Sequence, residues 1–188
     1  MKLILTSIIA SILIGCSGTE DNNSNTPEQM NMLPESFFTT KRPKNVTDLV
    51  EVKKNAKKGD EVTFLARIGG RKNSSFVPTL AMMIVADPAL KSCEVMGEEE
   101  HCQTPEDYCC EDRELLNAGL GTIRFMQDET EAYPFSIEDD HGLEILKYVV
   151  IEGTVHDIND KGLFIVDAST VWVGGKPHYG DLRAGSGD

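Results

Sequence analysis

Four cysteines and one histidine are gathered in a single stretch: Cys93, His101, Cys102, Cys109 and Cys110. Thiolate and imidazole are the groups that hold zinc in a tetrahedron, and thiolates also suit copper(I). A Cys₄ or Cys₃His set is therefore available, with His101 the one imidazole in the segment. The same four cysteines form two disulfides in an oxidising compartment. Four cysteines allow three pairings, and an adjacent Cys109–Cys110 bridge is strained, so two are realistic. No C-x-x-C pair is present. That counts against the usual structural-zinc spacing and against a thioredoxin-like redox dithiol. Spacing alone leaves disulfide and metal both open.

Little else in the chain has catalytic form. His141, His156 and His178 are scattered and read as surface or turn residues. His156-Asp157 has the chemistry of an acid–base pair, but no nucleophile stands near it in sequence. G-x-S-x-G, H-E-x-x-H, P-loop and dinucleotide fingerprints are absent, so no catalytic residue is assigned. Glu98-Glu99-Glu100 reads as a solvated loop face. The chain carries 31 acidic against 18 basic residues, a net charge of −13, and only 6% aromatics. Nucleic acid is disfavoured as a partner, because strand binding wants basic and stacking groups together.

The elements that must position the cysteines follow from periodicity. Glu61–Ile68 alternates, with Val62, Phe64, Ala66 and Ile68 on one face, and predicts a half-buried strand. Leu80, Met82, Ile84 and Ala86 predict a second, stopped by Asp87-Pro88. The cysteine insert, 89–118, comes next. Within it Thr104-Pro105-Glu106-Asp107 has the form of a helix start, which would put Cys109 and Cys110 on a short helix. Thr122–Gln127 predicts a third strand with Ile123 and Phe125 inward. Ser136–Lys147 predicts a short helix with Leu143 and Leu146 as contacts. Tyr148–Ile158 and Leu163–Val173 predict the last two strands, joined by the turn Asn159-Asp160-Lys161-Gly162. Gly153 marks a bulge or a close approach. Before the first strand, Asn45 to Asp48 predicts the cap of a helix carrying Leu49 and Val50.

The N-terminus carries a different signal. Met1-Lys2 is followed by an apolar run from Leu3 to Ile14, too short to span a bilayer. The run ends in Leu13-Ile14-Gly15-Cys16, which resembles the lipobox of bacterial lipoproteins. The resemblance implies a signal peptide at 1–15, with diacylation of the Cys16 sulfur and membrane attachment through that lipid. Two or more acyl chains hold a protein firmly where one holds it marginally. Ser17 after the cysteine resembles an outer-membrane address. Assigning Cys16 to lipid turns five cysteines into an even four. Residues 16–44 then read as a lipidated disordered tether and 175–188 as a flexible tail.

Five strands with a helix between the third and fourth, and a closing hairpin, resemble an OB-fold barrel within a domain at 45–174. Tyr148-Val149-Val150-Ile151-Glu152-Gly153-Thr154-Val155 is similar to the fourth strand of small exported bacterial OB-fold proteins. The resemblance implies a mainly β, non-enzymatic binding or interaction module in the cell envelope. Its partner would be an envelope protein, a glycan or a small ligand. The alternative is a metal-binding or thiol-redox protein using the cysteine cluster, with zinc or copper.

Overall fold

The structure is a computed structural model and describes residues 31–70, 74–93 and 107–176. The chain is mainly β. Its strands are β1 (Thr47–Asp48), β2 (Glu61–Ile68), β3 (Met82–Ala86), β4 (Leu120–Arg124), β5 (Tyr148–Ile158) and β6 (Phe164–Val173). Among the described residues two short α-helices accompany them, α1 (Leu49–Asn55) and α2 (Arg113–Gly119).

The sheet runs β2-β3-β4-β6-β5, and β5 returns to pair with β2, which closes a five-stranded barrel. β4 and β6 are parallel, while the other barrel pairs are antiparallel. Counted from β2, that order is 1-2-3-5-4, the topology of an OB barrel. β1 lies outside the ring and pairs in parallel with β2.

Inward residues obey the period of two. Phe64, Ala66 and Ile68 of β2, Ile123 of β4, and Val149, Ile151 and Val155 of β5 are all buried. Phe64 and Phe164 meet across the core with ring centres 5.9 Å apart. Gly153 sits where β5 shifts register against β6. A Cβ there would lie 2.3 Å from the Asp167 carbonyl, so only glycine fits.

α1 closes one flank of the barrel. Leu49 is fully buried beside Gly121, where the missing side chain leaves room for it. The Asp48 side chain makes no capping bond. Instead Val50 N donates to Asp87 Oδ2 at 2.8 Å, so a residue at the end of β3 caps the helix. Burial, and then the Asp87 charge, raise the Asp48 carboxyl above its ordinary pKa. Lys53 locks the other end. Its ammonium donates to the carbonyls of Asn117 (2.6 Å), Leu120 (2.7 Å) and Gly162 (2.8 Å).

Four expectations are corrected. The helix at Ser136–Lys147 is absent; that stretch holds only a 3-10 turn at Asp140–Gly142. Asp139, His141, Gly142 and Leu146 all take positive φ there, which no α-helix allows. Leu143 and Leu146 are nevertheless buried, as apolar contacts on irregular backbone and not on a helix. In β3 the inward set is Met83 and Val85, while Met82 and Ile84 are only half-buried. Both faces of that strand are apolar, so alternation could not choose between them. Cys109 and Cys110 lie in a turn closed by Glu111 N to Tyr108 O, just ahead of α2, and not on a helix. Finally, the barrel unit starts before residue 45. Leu33 is only 3% exposed, and Phe37 and Phe38 pack on the core. Thr39 N donates to Val171 O, so this part of the expected tether docks on β6. Three large apolar side chains supply the burial that holds this segment on the barrel. Cys16, the expected signal segment at 1–15 and residues 177–188 lie outside the described residues.

Candidate metal centre

Cys93, Cys109 and Cys110 stand on two stalks that leave the barrel together. One continues β3 through Asp87–Cys93. The other runs from Asp107 to Asp112 and enters α2, whose first turn is capped by the Asp112 side chain on Glu114 N and Leu115 N. The stalks are tied by two bonds. Cys93 N donates to Asp107 O at 2.8 Å, and Lys91 N donates to Glu111 Oε1 at 2.6 Å. Beneath them lies a second small core of Ala86, Leu90 and Tyr108, flanked by Leu116 and Leu120.

This pairing brings three sulfurs together. Cys93 Sγ lies 3.5 Å from Cys109 Sγ, and Cys109 Sγ lies 3.9 Å from Cys110 Sγ. All three sulfurs fall within 4.8 Å of one another, Cys93 buried and the other two exposed. Zinc–sulfur bonds of about 2.3 Å at tetrahedral angles put ligand sulfurs about 3.8 Å apart. The two shorter separations bracket that edge. Both exceed a disulfide bond of about 2.05 Å. Three of the four candidate cysteines are thus gathered at ligand spacing. Cys102 and His101 lie outside the described residues.

Buried polar groups lie against the two stalks in a way the sequence did not signal. Arg67 of β2 is fully buried, although strand alternation would put it on the solvent face. Its Nη2 donates to the Leu90 carbonyl. Among the described residues its Nε and Nη1 have no hydrogen-bond partner, nor have the hydroxyls of Ser92 and Tyr108. The Tyr108 ring lies over the guanidinium, 5.8 Å from ring centre to Cζ. Burial pushes the Tyr108 hydroxyl up to about 12, opposed by Arg67 and aided by Tyr148, Cys93 and Glu111. Arginine, tyrosine and cysteine are therefore electrostatic neighbours. Only the aromatic beside the Cys-Cys pair could have hinted at these groups.

The barrel also carries the groove expected of its topology. Gly70, Ile84, Leu120, Thr122 and Leu163 line a depression of about 230 Å³ across β3, β4 and the β5–β6 turn. Next to it, a cleft of about 440 Å³ opens between α1, α2 and that turn, over Lys53 and Asn117. Burial lowers the Lys53 ammonium to about 8. Cys93, Cys109 and Cys110 line neither hollow.

The histidines find structural partners. His156 Nδ1 stands 3.3 Å from Asp167 Oδ2, and Asp167 also holds Arg124 through both its oxygens. His141 stacks on Phe38 with ring centres 4.0 Å apart and stands between Asp140 (2.5 Å) and Glu35 (3.2 Å). His178 lies outside the described residues. No helix among the described residues is long and apolar enough to cross a membrane. Compared with family models, curated proteins and solved structures, the chain finds no match.

Proposed function

We propose that this chain is a lipid-anchored envelope protein whose OB barrel is a non-enzymatic scaffold for a soft metal ion held by thiolates. The observation that carries the reading is the approach of Cys93, Cys109 and Cys110 at ligand spacing. Thiolate sets select zinc and copper(I) over hard cations. A closed barrel with paired stalks holds such ligands in place before the ion arrives, which favours binding. The lipobox-like Leu13-Ile14-Gly15-Cys16 supports the anchor, with lipid on Cys16 and the outer membrane as address.

A native mass measurement on the full chain taken from bacterial membranes tests this. The expected species carries acyl chains on Cys16 and one metal ion, and its remaining cysteines alkylate only after chelation. A metal-free species lacking two hydrogens for each bridge contradicts the metal reading and favours disulfides.

A second reading rests on a separate observation, the apolar groove over β3 and β4. OB barrels bind ligands on that face, so a small ligand, glycan or envelope protein could engage Ile84, Leu120 and Leu163. A loss of ligand binding in Leu163→Asp, with metal content unchanged, would support it.

A further inference from the structure

We propose that Arg67 is the fixed counter-charge of the thiolate site and a positioning residue for it. The inference rests on the thiolate reading above.

Arg67 is fully buried, and a guanidinium stays charged in any protein environment. A buried cation is retained at a cost unless an anion stands near it. Among the described residues it has no carboxylate partner, and its Nε and Nη1 are unpaired. The carboxylates of the two stalks bond backbone N–H groups and not the guanidinium. Asp87 accepts from Val50 N and Ala89 N, Asp107 from Tyr108 N, and Glu111 from Lys91 N. What meets the guanidinium is one residue from each cysteine stalk. Nη2 holds the Leu90 carbonyl on the stalk that leads to Cys93, and the Tyr108 ring over Cζ immediately precedes Cys109. Arg67 therefore touches both stalks at the point where they begin to carry sulfur.

Thiolates supply the missing charge. Three thiolates around a divalent ion keep net negative charge, and around copper(I) they keep more. A cation placed beneath them lowers the electrostatic cost of that anionic complex. Groups behind the direct ligands commonly set affinity in this way. Strand alternation accounts for none of this, because it puts Arg67 in water. In the fold it instead meets Leu90 and Tyr108, both distant from it in sequence.

The test uses the full chain in detergent and cobalt(II) as the optical probe, with zinc competition to give affinity. Arg67→Gln keeps a donor for the Leu90 carbonyl and removes the charge. Arg67→Lys keeps the charge and removes the planar fork. The expected result is a thiolate–cobalt band in all three chains, with R67Q binding about ten- to a hundredfold more weakly and R67K within about threefold of the parent. R67Q binding as tightly as the parent overturns the proposal, and so does R67K falling as far as R67Q. Should R67Q fail to fold, R67K decides alone: affinity kept within about threefold supports the counter-charge and a larger loss overturns it. A parent chain with no thiolate–cobalt band removes the thiolate reading itself, and the inference with it.

Discussion

The guanidinium of Arg67 lies 5.8 Å from the centre of the Tyr108 ring, both side chains fully buried between the barrel wall and the cysteine stalks. The ring face serves the cation, while the Tyr108 hydroxyl has no partner among the described residues. Tyr108→Phe keeps the face and removes a buried, unpaired hydroxyl. Its stability in urea should equal that of the parent or exceed it by about 1 kcal/mol. A loss of about 2 kcal/mol or more would mean the hydroxyl has a bond that this arrangement does not provide.

Lys53 ties α1 to α2, β4 and the β5–β6 turn through three carbonyls. Lys53→Met should cost about 3 kcal/mol, because charged hydrogen bonds are lost and acceptors are left behind. Its pH dependence has a definite sign. The folded ammonium titrates at about 8 and the unfolded one at its ordinary 10.5. Between those values the unfolded chain holds the extra proton, so rising pH favours the folded state. Below that window both forms are protonated and the effect is flat. Urea midpoints of the parent minus those of K53M should therefore rise from pH 8 towards pH 10.5; a level difference contradicts the assignment.

Gly153 is held by backbone, not by a movable side chain: the Asp167 carbonyl occupies the space a Cβ would need. Gly153→Ala should destabilise the barrel by about 1–3 kcal/mol, read by thermal melting. An unchanged melting temperature would mean that β5 and β6 can separate there freely.

Asp87 caps α1 from a distance by accepting from Val50 N. Asp87→Ala should cost about 1–2 kcal/mol, while Asp48→Ala should cost less, since Asp48 makes no cap bond and sits near a like charge. The reverse order in chemical denaturation would return the capping role to Asp48.

The strands were legible because alternation is local. Glu61–Ile68 and Tyr148–Ile158 fall where their periods place them, and Asn159 to Gly162 turns the chain between β5 and β6. Failures came where a local pattern had two solutions or none. β3 is apolar on both faces, so its inward set could not be chosen. Leu143 and Leu146 have helical spacing, yet positive φ at His141, Gly142 and Leu146 breaks any helix. The site was half legible. Cysteine density named Cys93, Cys109 and Cys110 as a cluster, but their meeting depends on two stalks brought together by Asp107, Glu111 and a small separate core. Arg67 was invisible because the groups it meets, Leu90 and Tyr108, are distant in sequence, and period-two reasoning sees only neighbours along the strand.

The central claim is that sulfur from these cysteines holds a metal ion. X-ray absorption at the metal edge of the zinc- or copper(I)-loaded full chain measures it most directly. The expected spectrum has ligands dominated by sulfur at about 2.3 Å, with sulfur lost when Cys93 and Cys109 are replaced by serine. A shell of nitrogen and oxygen alone at about 2.0 Å, unchanged in those variants, would contradict it.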